Sequence, residues 1–275
     1  MRALLDTIDQ WEIHMQTRRT FLATLAGASA FALAACGGSK DNGEAAAPAA
    51  AAGDGTDAKG DGVMTYDEYL AAAVDDEVVI ECFVQATQSW WEDKITIYAA
   101  DADGGYFIYN AACSEEDSAK LVEGQKIKVT GYKAEWSGEI EVAEGATIEF
   151  EDGSTYVAEA VDVTEYLGTD DLINYQNQKV AFKGLTIEPS TDPDGKEVTF
   201  LYNWDGSGAE GDDLYFNVSK DGETYSFTVE SYLTGEDTDV YKAVRELKVG
   251  DVVDLEGFLY WYEGANPHIT SVTAA

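Results

Sequence analysis

Short apolar runs of strand length punctuate the chain from residue 78 onward. Val78-Val79-Ile80-Glu81-Cys82-Phe83-Val84 is nearly continuous and β-branched, and it predicts a first strand. Residues 94–100 and Tyr106–Asn110 predict a second and third, joined at Asp103-Gly104-Gly105, where aspartate and glycine supply hairpin-turn chemistry. Residues 125–134 and 139–149 predict a fourth and fifth. Between the third and fourth, Ser114-Glu115-Glu116-Asp117 opens a short helix with serine as N-cap. Thr65-Tyr66-Asp67-Glu68 is a capping box that starts another helix ahead of the first strand.

The pattern then repeats. At a fixed offset of 126 positions, Gly124 matches Gly250, Ile127 matches Val253, Val129 matches Leu255 and Gly131 matches Gly257. Tyr132, Trp136 and Gly138 match Phe258, Tyr262 and Gly264. Self-similarity on this scale predicts two domains of one fold, at 64–158 and 159–275. A helix over Thr169–Tyr175 precedes the second copy, which also carries an insertion at about 188–212.

The element order β-β-β-α-β-β, with glycine inside the fourth strand where a barrel strand must bend, resembles the OB-fold. The fold class expected is therefore all-β with short helices: two tandem, OB-fold-like, five-stranded barrels after a disordered tether. In such barrels the loops between strands 1 and 2 and between strands 4 and 5 flank a binding face.

Strand alternation sorts the aromatics. Val253, Leu255, Gly257, Leu259 and Trp261 share one parity and are expected inside the second barrel, unless a bulge at Gly257 exchanges the faces. Phe258, Tyr260 and Tyr262 point out. Trp90 and Trp91 fall in the first barrel's 1–2 loop, and Trp136 stands where strand 4 enters the 4–5 loop. Trp90, Trp91, Trp136, Tyr260 and Tyr262 are thus the candidate ligand-binding residues. The alternative is that these rings pack between the barrels as an interdomain core.

The front of the chain reads differently. From Met15, Thr17-Arg18-Arg19-Thr20-Phe21-Leu22 resembles the twin-arginine (Tat) export motif. An alanine-rich apolar run from Phe21 to Ala35 follows, too short to be a comfortable membrane span. Leu33-Ala34-Ala35-Cys36 resembles a bacterial lipobox. The resemblance implies a signal peptide over 1–35, started at Met15, and lipidation of Cys36. The chain would then be lipid-anchored to the outer face of the bacterial cytoplasmic membrane. Residues 36–63 hold glycine, alanine and aspartate without aromatics, a composition that cannot fold and serves as a tether.

Charge narrows the chemistry. The chain has 17 Lys and Arg against 53 Asp and Glu, a net charge of −36. Beyond the signal, Arg245 and His268 are the sole residues of their types. With so few cations to neutralise phosphates, the expected partners exclude nucleic acid, and a neutral sugar, peptide or protein is expected at the aromatics. No GxSxG, HExxH, P-loop or CxxC spacing occurs, so no enzyme activity, cofactor or metal is expected. Asp101-Ala-Asp103-Gly104 and Asp192-Pro-Asp194-Gly195 look superficially like calcium loops, but turn chemistry explains them without metal. Cys82 and Cys113 permit one disulfide in an exported domain, and two buried thiols are the alternative.

Overall fold

The computed structural model of the protein describes residues 59–275, so Arg18, Arg19, Cys36 and most of the tether lie outside the described residues. The capping box forms: the Thr65 side chain accepts from the Glu68 amide, and Glu68 Oε2 accepts from the Thr65 amide at 2.9 Å, starting α1 (Tyr66–Ala71). At the other end of α1, the buried Lys133 ammonium donates to the carbonyls of Leu70 and Ala72 at 2.7 and 2.8 Å. These are carbonyls that a helix leaves open, and a cation complements the negative end of its dipole.

The first barrel consists of β1 (Glu77–Thr87), β2 (Lys94–Ala100), β3 (Gly105–Ala112), β4 (Lys126–Trp136) and β5 (Glu139–Val142). Helix α2 (Glu115–Ser118), capped by Ser114, joins β3 to β4. Pairing runs β1-β2-β3-β5-β4, and β4 returns to β1 over Glu77–Phe83, which closes the ring. The β3–β5 pairing is parallel and the others antiparallel. The strand expected over 139–149 is two pieces, because Gly145 turns the chain at φ +89 between β5 and β6 (Thr147–Phe150). β6 adds to the free side of β4.

The second copy has the same plan. Val161–Asp162 (β7) leads, through 3-10 turns at Thr164–Tyr166 and Asp170–Tyr175, into β8 (Lys179–Glu188). The insertion carries β9 (Ser190–Thr191), β10 (Glu197–Val198) and β11 (Phe200–Tyr202). Then come β12 (Leu214–Lys220), β13 (Glu223–Val229), α3 (Asp239–Glu246), β14 (Val252–Phe258) and β15 (His268–Ala274). The ring β12-β13-β15-β14-β8 closes through β12–β8, again with one parallel contact, β13 to β15. Both copies are therefore closed five-stranded barrels of OB type.

Each barrel fills its own interior. Val78, Ile80, Ile97, Ile108, Ile127 and Val129 are among the fully buried residues of the first. Phe182, Leu185, Phe216, Phe227 and Leu255 do the same in the second. The glycines of β4 and β14 sit where no side chain fits. A Cβ on Gly131 would lie 2.7 Å from Val142 Cγ1, and one on Gly257 would lie 2.1 Å from the His268 carbonyl oxygen.

Alternation in β14 holds for Leu259, which joins the core, and for Phe258 and Tyr260, which leave it. It fails for Trp261, expected inside the barrel and found half-buried outside it. The strand ends at Phe258, and the chain turns back through a bridge between Trp261 and Ala265, so the two-residue period no longer applies. Cys82 and Cys113 are both buried and are not joined in the disulfide that export permits.

Candidate functional site at the seam between the barrels

Strands β2 and β3 present Tyr98 and Phe107 on the face opposite the first core. β14 and the turn after it present Phe258 and Tyr260. The four rings form one buried cluster. Tyr98 stacks on Phe258 at 4.7 Å with 26° between ring planes, and Phe107 meets Tyr260 edge-on at 5.2 Å. His268 lies flat against Tyr260 at 4.6 Å, with its Nδ1 2.6 Å from the Tyr98 hydroxyl. Burial holds this imidazole neutral, with its pKa lowered to about 3.

Polar contacts frame the rings. On one side, Glu139 at the start of β5 is fully buried. Its Oε2 accepts from the Trp261 amide at 2.8 Å and from Gln176 Nε2 at 3.3 Å, both from the second barrel. Gln176 also donates to the Gly138 carbonyl, and Asn177 Nδ2 donates to the Ile140 carbonyl at 2.9 Å. Desolvation is the main cause that pushes the Glu139 carboxyl up to about 9, with Glu141 adding to it. On the other side, Glu230 at the end of β13 is buried. It accepts from Gln88 Nε2 of the first barrel at 3.1 Å and from the amides of Tyr232 and Leu233. Burial first, and Asp213 second, push Glu230 up to about 8.

Backbone approaches are equally close. Ser89 N–H donates to the Tyr232 carbonyl at 2.8 Å, and Glu263 N–H to the Ser137 carbonyl at 2.7 Å. A Cβ on Gly105 would lie 2.3 Å from the Asn177 carbonyl, and one on Gly138 would lie 2.8 Å from Trp261 Cδ1.

The five aromatic candidates do not form one exposed platform. Tyr260 is buried in the seam. Trp90 and Trp136 are half-buried, and the Trp90 indole N–H donates to the Cys113 carbonyl at 2.9 Å. Trp91 and Tyr262 are exposed, at 45% and 46%. A cavity of about 320 Å³ on the first barrel is lined by Asp93, Cys113, Ser114, Asp117, Ile148 and Phe150, and by none of the five. The two calcium-like loops are Asx turns: Asp101 Oδ1 accepts from the amides of Asp103 and Gly104, and Asp192 Oδ1 from those of Asp194 and Lys196. Asp101 Oδ2 is taken by Tyr106 and by Lys59, each at 2.7 Å.

Sequence reasoning missed Tyr98, Phe107, Glu139, Gln176, Asn177 and Glu230. Glutamate in a strand reads as a solvent-facing residue, and the position matching Glu139 in the second copy is Ala265.

No protein-family model matches the sequence, and no curated protein matches it. Among solved structures, a murine DNA-binding protein bound to double-stranded DNA is similar at 10% identity, with a TM-score of 0.35, over 72% of this chain and 96% of its own. The HINb domain of p204 is similar at 11% identity and a TM-score of 0.33, over 74% and 98%. A replication protein A heterotrimer bound to single-stranded DNA is similar at 7% identity and a TM-score of 0.27, over 78% and 69%.

Two expectations are corrected here. The expectations of a neutral sugar or peptide ligand and of no nucleic acid are withdrawn: the solved structures reported above include ones described as bound to double-stranded and to single-stranded DNA. The sugar or peptide platform also lacks its geometry, because one of its five rings, Tyr260, is buried in the seam.

Proposed function

We propose that this chain is an exported, lipid-anchored and non-catalytic protein whose two OB barrels work as one fused body, a structural or accessory module at the outer face of the cytoplasmic membrane. The observation that carries this reading is the buried aromatic cluster of Tyr98, Phe107, Phe258 and Tyr260, which joins the barrels through the faces that their strands turn away from their cores. The twin-arginine and lipobox resemblances at Arg18, Arg19 and Cys36 support export and anchoring, and the tether allows the body to stand off the bilayer. The non-catalytic reading is supported by His268, the one histidine beyond the signal, which is 6% exposed and stacked inside the seam.

Chemical cross-linking on intact cells tests the proposal. The expected result is an envelope-protein neighbour captured by the wild type and lost from the Phe258→Ala/Tyr260→Ala double variant, which keeps the anchor. Capture unaffected by removal of the seam would show that the fused body is not the working unit. DNA, which solved neighbours hold, is the first soluble ligand class to titrate against this body. Low and physiological salt should both be used, because phosphate contacts weaken as salt rises.

A further inference from the structure

Among the described residues, Glu139 Oε1 of the first barrel and Asn177 Oδ1 of the second are buried in the seam with no hydrogen-bond partner. The Asn177 side chain lies within hydrogen-bonding reach of the Glu139 carboxyl, where its amide favours the ionised form; one of its two Nδ2 hydrogens goes to the Ile140 carbonyl at 2.9 Å, and its Oδ1 is left without a donor. Both orphan atoms are acceptors, so neither satisfies the other. An orphaned buried acceptor costs about 1–3 kcal/mol, and more when it is charged. One proton on Glu139 Oε1 would turn that oxygen into a donor for Asn177 Oδ1 and remove the charge.

We propose that Glu139 is a proton latch between the barrels: its protonated carboxyl donates from Oε1 to Asn177 Oδ1 while Oε2 receives the Trp261 amide, and loss of that proton loosens the docking while each barrel stays closed. The inference rests on the docked seam described above.

Among the described residues, the charges that act on Glu139 include no cation. The titratable groups facing Glu139 are Glu141 on its own strand, Tyr66 and Tyr69 from α1, and Tyr98 from β2. The second barrel offers Gln176, Asn177 and the Trp261 amide, all neutral. Glu230 repeats the arrangement from the other side. It belongs to the second barrel, is received by Gln88 of the first, and faces Asp213, Tyr98, Tyr215 and Tyr232. The protonated carboxyls agree with their raised pKa values, about 9 for Glu139 and about 8 for Glu230.

Two measurements on the full chain decide it. Carbon-13 NMR of labelled glutamate follows the Glu139 carboxyl, assigned by its loss in Glu139→Gln. Protonation at pH 7 and titration near pH 9 are expected, and an ionised carboxylate at pH 7 would overturn the latch. Hydrogen exchange of the Trp261 amide then compares wild type with Glu139→Gln, whose amide keeps a donor for Asn177 at every pH. Wild type should lose about tenfold in protection relative to the variant by one pH unit above the carboxyl's pKa. Equal protection in both proteins at every pH would refute the latch while leaving the seam intact. An unprotected amide in both, at every pH, would instead show that the seam itself does not form.

Discussion

Tyr98 and Phe258 belong to different barrels, and their rings stack 4.7 Å apart, both less than 4% exposed. The two residues are 160 positions apart in sequence, so this contact exists only if the barrels dock. Offset stacking of this kind adds about 0.5–1.5 kcal/mol to the burial of the rings themselves. Replacing Phe258 with Ala should therefore cost about 3–5 kcal/mol, as for a buried aromatic, whereas Tyr262→Ala should cost less than about 1 kcal/mol. Denaturant midpoints of the two variants measure the difference.

Gly105 provides a probe that acts on the seam alone. An added Cβ would meet the backbone of Asn177 and Gln178 at 2.3 to 2.6 Å, and backbone cannot swing aside as a side chain can. Gly105→Ala should separate the barrels while both rings remain closed. Gly257→Ala, with its Cβ 2.1 Å from the His268 carbonyl, should instead open β14 from β15 inside the second barrel. Amide exchange separates the outcomes. The first variant should lose protection at Trp261 and keep it along β14, and the second should lose it along β14.

Stability should depend on pH with two opposed limbs. Glu139 and Glu230 have pKa values raised from 4.5 to about 9 and about 8. Their contribution is complete below the ordinary carboxylate range and is lost as pH rises toward 8 and 9, by up to about 1.4 kcal/mol per pH unit for each group. His268 is depressed from 6.5 to about 3, so its contribution is present above pH 6.5 and is lost as pH falls toward 3. Urea midpoints across the range should show Glu230→Gln flattening the alkaline limb and His268→Gln flattening the acid one. A variant that merely shifts the whole curve would contradict the assignment of these groups.

Much of the barrel architecture was legible because alternation and glycine placement act locally. β2 over 94–100, the capped helices and the paired glycines Gly131 and Gly257 follow from neighbours a few positions away. The seam was legible only as the alternative of an interdomain core, which holds for Tyr260; its other members were not, because they depend on where strands stop and which outward faces meet. Trp261 was assigned to the core by extending the alternation of β14 three residues beyond its end at Phe258. Tyr98, outward on β2, carried no mark that distinguishes a docking residue from a solvated tyrosine. Glu139 ran against its own chemistry, because its carboxyl is buried here through partners supplied by segments 37 and 122 positions away.

Export and anchoring give a separate prediction. A labelled fatty acid should mark the wild-type chain and not Cys36→Ser, and changing Arg18 and Arg19 together to Lys should leave precursor in the cytoplasm. Equal labelling of wild type and Cys36→Ser would remove the anchor from the account.

The central claim is that the aromatic seam makes one body of two barrels. Nitrogen-15 relaxation of the unlipidated Cys36→Ser chain at neutral pH reports the tumbling of each barrel separately. The account predicts a single correlation time shared by amides of β1–β6 and β8–β15, and two shorter ones when Gly105→Ala is added. Two independent correlation times in the parent chain would contradict it.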